Sequence, residues 1–302
     1  MNGETNKPAA ASLAQTPHPL DQAPIARTGL ICIVVPIGHD RHQHLSDPFF
    51  LPFLGHLMDS LDAHGYAITI TRANSSDNPN WLAELADHRK CDGLLVIGQS
   101  DQFNQIEQVA AYYQPMVVWG AHVAHQRHCS VGCDNILGGE LAVQHLIANG
   151  ARSIALMGND EALEVAQRFS GAERAAAASG VKLRRLSVHF ARDEMKDEIA
   201  QHLENVGGII DGIFAASDLI AITAMEWLHK HGKKVPADVC VIGFDDLPIA
   251  ANVHPPLTSI RQDVAHGAAA MIEKLLARIG GADTPSLVMK PELVIRGSTR
   301  AT

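Results

Sequence analysis

The sequence predicts an α/β protein made of two doubly wound lobes, each built on a mostly parallel sheet. Three observations predict it. From Thr28 onward short apolar runs alternate with longer segments of helical period, which is the signature of repeated βα units. The pattern restarts with the helix at Ile136 to Ala148, ended by Asn149-Gly150, so the chain reads as two similar units in series. The composition is that of a globular protein, with 46% hydrophobic and 19% charged residues over 302 positions, enough chain to bury a sizeable core.

Residues 1–27 carry Pro8, Pro17, Pro19 and Pro24 among small polar residues and read as a flexible tail. The first strand is expected over Gly29 to Val35. A helix from about Pro48 to His64 follows, stopped by Gly65, and then a strand from Tyr66 to Thr71. A helix from about Asn80 to His88 leads to a strand at Gly93 to Ile97. A helix from about Gln102 to Tyr112 leads to a strand at Met116 to Trp119, and Ser130 to Cys133 is a short extended piece. The second series opens with a helix at Ile136 to Ala148. It continues with strands at Ser153 to Met157, Lys182 to Val188, Gly212 to Ala215 and Val239 to Gly243, separated by helices at about Glu164 to Ala178, Glu194 to Asn205 and Leu219 to Lys230. Leu257 to Ile260 then leads into a long helix at Val264 to Arg278 and two short strands, Leu287 to Met289 and Leu293 to Arg296. In open α/β sheets ligands bind beyond the carboxyl ends of the strands, so two such lobes facing each other make a cleft lined by βα loops.

Bulk properties exclude several functions. A formal charge of −9 argues against unaided nucleic-acid binding, which depends on Lys and Arg displacing counterions. No apolar run reaches the length of a membrane span, and the N-terminus lacks the charged start and apolar stretch of a signal peptide, so the cytoplasm is the expected location. Five cysteines, Cys32, Cys91, Cys129, Cys133 and Cys240, sit among apolar neighbours and read as buried thiols. There is no Gly-x-Ser-x-Gly elbow, phosphate loop, His-Glu-x-x-His helix or dinucleotide glycine fingerprint, so neither an enzyme nor a cofactor is expected. His39, His42 and His44 in one loop and His122, His125 and His128 in another invite a metal site, but nothing predicts the fixed geometry that ligation needs, and no metal is expected.

A series of short motifs adds to this frame. In chain order they are Ser46-Asp47-Pro48-Phe49-Phe50, Asp92-Gly93-Leu94-Leu95, Cys133-Asp134-Asn135 with Gly138-Gly139, and His145-Leu146 before Asn149-Gly150-Ala151-Arg152-Ser153. Arg168-Phe169-Ser170-Gly171 and Ala216-Ser217-Asp218 follow, then Val241-Ile242-Gly243-Phe244-Asp245-Asp246 and Pro255-Pro256-Leu257-Thr258-Ser259-Ile260-Arg261-Gln262. In this order and spacing the chain resembles the effector-binding core of the LacI/GalR family of transcriptional regulators, from about Thr28 to Arg296. The resemblance implies a periplasmic-binding-protein-like type I fold whose lobes are joined by three crossings near residues 147, 261 and 289. The N-terminal lobe is then 28–147 plus 262–288 and the C-terminal lobe 148–261 plus 289–302. It also implies a small sugar as effector and a homodimer. Operator DNA would be bound only through a helix-turn-helix headpiece, which residues 1–27 are too short to hold, so the headpiece is expected to be absent. A carrier-like sugar-binding protein, or a headpiece-less partner of a full-length relative, is the alternative.

A sugar presents many hydroxyls and patches of C–H surface, so its site needs hydrogen-bonding side chains and aromatic faces. The resemblance assigns Arg168 as the main effector-binding arginine, its planar fork suited to two neighbouring hydroxyls or a carboxylate. Asp245 ends a buried apolar strand, where a carboxylate needs hydrogen bonds, and is expected to accept from a sugar hydroxyl. Asp134 is either an effector contact or the N-cap of the helix that follows, and Ser217 can cap a helix and face the ligand together. Phe50 resembles the family aromatic that packs on the sugar ring, with core packing as the alternative. Phe190 is a further candidate aromatic face, and Trp119 is either a second stacking face or a buried hinge residue. Ile222 and Met225 on the helix Leu219 to Lys230 match subunit-interface positions in the family.

Overall fold

The structure, a computed structural model, describes residues 27–37, 47–74, 78, 80–99, 102–190, 192–206 and 209–300. Along the chain run β1 (Leu30–Ile37), α1 (Phe50–Ala63), β2 (Ala67–Asn74), α2 (Trp81–Leu85), β3 (Gly93–Ile97), α3 (Phe103–Ala110), β4 (Met116–Trp119), β5 (Cys129–Cys133) and α4 (Asn135–Ala148). There follow β6 (Ser153–Met157), α5 (Leu163–Ser179), β7 (Lys182–Leu186), α6 (Arg192–Val206), β8 (Gly212–Ala215), α7 (Asp218–Lys230) and β9 (Cys240–Asp245). A 3-10 turn at Pro248–Ala251 precedes β10 (Thr258–Arg261), α8 (Val264–Ile279), β11 (Leu287–Met289) and β12 (Glu292–Val294).

The strands form two six-stranded sheets, ordered β11-β5-β4-β3-β1-β2 and β12-β10-β9-β8-β6-β7. The first is parallel throughout; in the second only β12 runs antiparallel, against β10. The two-lobed α/β class expected from the alternating pattern is therefore the architecture found. Each sheet is covered on both faces, as parallel sheets must be. On one face of the first, Ile31, Ile33, Leu95 and Val117 pack under Phe53 and Leu57 of α1 and Met271 and Leu275 of α8. On the other, the alternate residues Cys32, Val34, Leu94 and Val96 meet Trp81, Leu82, Ile106 and Val109. The second sheet repeats the arrangement, with α6 and α7 on one face and α4 and α5 on the other.

The change of lobe expected near residue 147 falls earlier. Val143 and Leu146 of α4 pack in one core with Ile154, Leu156 and Phe214, so α4 belongs wholly to the second lobe and the chain crosses at Asp134, between β5 and α4. A helix after a strand normally returns over its own sheet, but this one leaves it. The other two connections run from β10 into α8, at Gln262, and from β11 to β12, at Lys290. The helix expected to reach His88 stops at Leu85. Asp87 Oδ1 accepts the Arg89 backbone N–H at 3.0 Å and folds the chain into a turn instead.

Met225 does not lie on a free surface. It is buried within the core beneath α7, and Ile222 is half-buried against the same cluster, because the inner stripe of α7 faces β8, β9 and α6. That corrects the interface expectation for Met225: a side chain that fills its own lobe has no face to offer a partner. The same burial means that a charge at Ile222 would disturb folding as well as association.

Helices α4 and α5 approach each other more closely than side chains permit. A Cβ on Gly139 would overlap the carbonyl oxygen of Arg168, and one on Gly171 would overlap that of Ile136. The two glycines are thus the contact itself. Gly171→Ala should therefore force the helices apart and cost about 1–3 kcal/mol. In calorimetry its melting temperature should fall by several degrees, and an unchanged value would show that this contact is not tight.

Candidate functional site: the cleft between the lobes

The carboxyl ends of β1, β3 and β4 face those of β6, β8 and β9 across a cavity of about 180 Å³. That is the volume of about six water molecules in the liquid, room for one small ring. One wall is aromatic. Phe50 and Trp119 line it with Phe49, whose ring stands 5.6 Å from Phe50 and 6.4 Å from Trp119. Trp119 is braced from behind by Phe53 at 4.6 Å and by Gly267 of α8, which leaves no room for a Cβ beside the indole. Trp119 and Phe50 thus serve the core and the cavity together, so the two readings of these residues are not exclusive.

The opposite wall is polar. Arg168, on α5, is almost fully buried; its Nε donates to Asn135 Oδ1 at 2.9 Å, one Nη donates to the Ala216 carbonyl, and the guanidinium lies 3.7 Å over the Phe244 ring. Asp245, at the end of β9, accepts from Gln262 Nε2 at 2.6 Å and is held at φ 108°, a backbone conformation that a side-chain-bearing residue rarely adopts. Ser217 lines the cavity while its Oγ caps α7, accepting from Ile220 N–H at 3.3 Å, and Phe190 lines it from the second lobe. Beneath Asp245 lies Asp218, fully buried, which accepts from Ser259 Oγ at 2.6 Å and Leu247 N–H at 2.7 Å. Asp246 points away, paired with Arg261 at 2.7 Å and Arg296 at 2.6 Å, so it ties β9 to the strand and tail beside it.

The structure brings Phe50, Trp119, Arg168, Phe190, Ser217 and Asp245 to one cavity. Asp134 is not among its lining residues. Its side chain accepts from Leu137 N–H at 2.9 Å as the N-cap of α4, the alternative role weighed for it, and its neighbour Asn135 is the residue that touches the site, as the strut under Arg168. Sequence reasoning missed Asp47, Phe49, Glu161, Glu164 and Gln262, all of which line the cavity. Glu161, Glu164 and Gln262 lie just beyond the carboxyl end of a strand or in the first turn of the next helix, so a stricter use of strand ends would have found them, whereas Asp47 and Phe49 immediately precede α1, far from the end of β1. The loop histidines do something else: His128 is buried with Nδ1 2.6 Å from Glu107 and Nε2 3.0 Å from Gln99. Among the described residues no three His, Cys, Asp or Glu side chains are placed to hold a metal ion; His39, His42 and His44 lie outside the described residues.

Two contacts cross between the lobes beside the cavity. Gln167 Nε2 donates to the His122 carbonyl at 2.9 Å, and Glu164 Oε1 lies 3.4 Å from the Gln99 backbone nitrogen. Both start from the first turns of α5, Glu164 one helical turn before Arg168 and Gln167 immediately before it.

Burial dominates the electrostatics. It pushes the Asp245 carboxyl up to about 7, against the opposing pull of Arg168 and of the Gln262 hydrogen bond, and raises Asp218 well above the usual carboxylate range. A carboxyl whose folded value is raised binds its proton more tightly in the folded state, so it favours folding at low pH. That contribution is lost as pH rises from its ordinary value of 3.8 through about 7. Removing the titration should flatten this trend. Urea unfolding of Asp245→Asn across this window should show a shallower decline of stability than the unaltered protein, and parallel profiles would show that Asp245 ionises freely.

Residues 143–299 match the family model described as periplasmic binding protein-like domain. The HTH-type transcriptional regulator CelR of Thermobifida fusca is 28% identical over 281 residues, covering 90% of this chain and 82% of the relative. A solved complex of transcriptional regulator CelR with cellobiose superposes with a TM-score of 0.77 at 26% identity, covering 92% of this chain and 87% of that one. A periplasmic binding protein/LacI transcriptional regulator from Alkaliphilus metalliredigens, in complex with D-xylulofuranose, does so with a TM-score of 0.76 at 26% identity over 91% of this chain and 100% of that one. Because the family match spans more than half of the 302 residues, this chain belongs to the periplasmic-binding-protein-like family, and its relatives are LacI-type transcriptional regulators.

Proposed function

We propose that this protein is a sugar-responsive transcriptional regulator, and that its cleft binds a small carbohydrate effector without transforming it. The observation that carries the reading is the pairing of walls. An aromatic face of Phe49, Phe50 and Trp119 stands across one cavity from Arg168, Asp245 and Ser217. A sugar ring needs that combination, its C–H face on aromatic carbon and its hydroxyls on charged hydrogen-bonding groups. Relatives solved with cellobiose and with D-xylulofuranose support it. Their names describe regulators rather than enzymes, which supports binding over catalysis.

Three connections join the lobes and the cleft lies between them, so a ligand that touches both walls favours the closed arrangement. In a dimer, that closure changes how the first lobes sit against each other and thereby alters DNA binding, a coupling of about 1–3 kcal/mol in ordinary allosteric proteins. With a net charge of −9 the chain as a whole is a poor polyanion binder, so DNA contact belongs to a headpiece rather than to the two lobes. Among the described residues no helix is long and apolar enough to cross a membrane, which agrees with a regulator working in the cytoplasm. Homodimerisation is carried by a different face from that of Met225. Leu51 and Met58 are exposed one above the other on α1, and α1 packs beside β2, whose Ile70 is exposed as well.

A thermal-shift screen of neutral sugars identifies the effector, and calorimetric titration then tests the site. Asp245→Asn should weaken the effector about 10- to 100-fold, the worth of a hydrogen bond to a charged group in a partly dry cleft. Arg168→Lys, which keeps the charge but loses the fork, should do so as well. Unchanged affinity in a variant that melts normally would show that the cleft residues are misassigned. Sedimentation of Leu51→Glu/Met58→Glu should show a monomer where the unaltered chain is a dimer; a persisting dimer would place the interface elsewhere.

A further inference from the structure

We propose that the cleft admits an uncharged or amino-bearing sugar and excludes sugar phosphates and sugar acids, with Glu164 as the residue that determines this selectivity. The inference rests on the sugar-binding reading above and narrows it to a class of ligand.

The charge on the cavity wall is mostly negative. Among the described residues Arg168 is the only basic side chain on it, whereas Asp47, Glu161, Glu164 and Asp245 all line it. The arginine is already engaged. Nε is given to Asn135, one Nη to the Ala216 carbonyl, and the flat face to Phe244. A guanidinium grips a phosphate or carboxylate with a pair of parallel N–H groups, and here two of its five N–H groups, on two different nitrogens, are spent on the protein. Its charge is also shared with the carboxyl groups beside it, Asp245 first and Glu164 after it. The N–H groups that remain for a ligand belong to a cation that carboxyl groups already face.

Positive helix N-termini are ready-made phosphate sites, and α5 begins at Ala162 on the cavity wall with no side chain capping it. Glu164, in the first turn of that same helix, already supplies the negative charge that this end attracts. α7 is likewise closed by the Ser217 hydroxyl. Glu164 is held at the site by its approach to the Gln99 backbone nitrogen and by Gly120, where a Cβ would lie 2.8 Å from its Oε1. Glu161 is exposed at the rim, beside Asn159, and is screened by solvent. Glu164 is therefore the carboxylate whose repulsion an anionic ligand cannot avoid.

The experiment is calorimetric titration with matched sets on one ring: glucose, glucosamine, glucose 6-phosphate and glucuronate, and ribose with ribose 5-phosphate. For whichever ring binds, the uncharged form should bind at least about tenfold more tightly than its phosphate or acid, and added salt should narrow the gap. Glu164→Gln, which retains an acceptor for the Gln99 backbone while removing the charge, should narrow that ratio by about threefold or more, and Glu161→Gln by less. A phosphate or acid that binds as well as the parent sugar overturns the selectivity while leaving the sugar reading standing. A ratio that Glu164→Gln leaves unmoved overturns the role of Glu164. If no form of either ring binds, the same matched set is built on the sugar that the thermal-shift screen identifies, and a screen in which no sugar binds overturns the sugar reading and this inference with it.

Discussion

The buried guanidinium of Arg168 is the interaction on which the rest of the site depends. A charge removed from water is costly unless hydrogen bonds and an opposite charge replace the solvent. Here the replacement comes from four directions: Asn135 at the start of α4, the carbonyl that precedes α7, the ring of Phe244 on β9, and the carboxylate of Asp245. The group that lines the cavity therefore also ties α5, which carries it, to α4, to the start of α7 and to β9.

That arrangement makes the close contact of α4 and α5 functional as well as structural. Gly139 lies directly against the carbonyl of Arg168, so the backbone that carries the arginine is set by a contact in which no side chain intervenes. The strained turn at Asp245 and Asp246, with φ of 108° and 55°, aims one carboxylate at the cavity and the other at Arg261 and Arg296. Strain of this kind persists where neighbouring interactions over-determine the backbone. Here Gln262, Ser259 and the two arginines do so.

Both lobes line the cavity, and α5 joins them. Its first turns carry Glu164 and Gln167, which reach loops of the first lobe, and Arg168, which serves the second. A ligand seated between Trp119 and Arg168 therefore acts where the lobes already touch. Closure is then a matter of strengthening contacts on one helix rather than building a new interface.

The sequence by itself determined the class and order of the elements, because burial on both faces of a parallel sheet writes continuous apolar runs such as Gly93–Ile97 and Gly212–Ala215, and amphipathic helices write their own period between them. It also located Arg168, Asp245, Ser217, Phe50, Phe190 and Trp119, most of which follow or end strands in recognisable motifs. Only the tertiary structure decided where the chain changes lobe, at Asp134 rather than near residue 147, because the packing of Val143 and Leu146 with Ile154 and Phe214 and of Gly139 against α5 joins distant parts of the chain. Only the tertiary structure showed that Asp134 caps a helix while Asn135 holds the arginine, and that Met225 faces inward. Neighbouring residues of similar polarity differ in role by the direction of their side chains, and direction is a property of packing that local sequence does not encode.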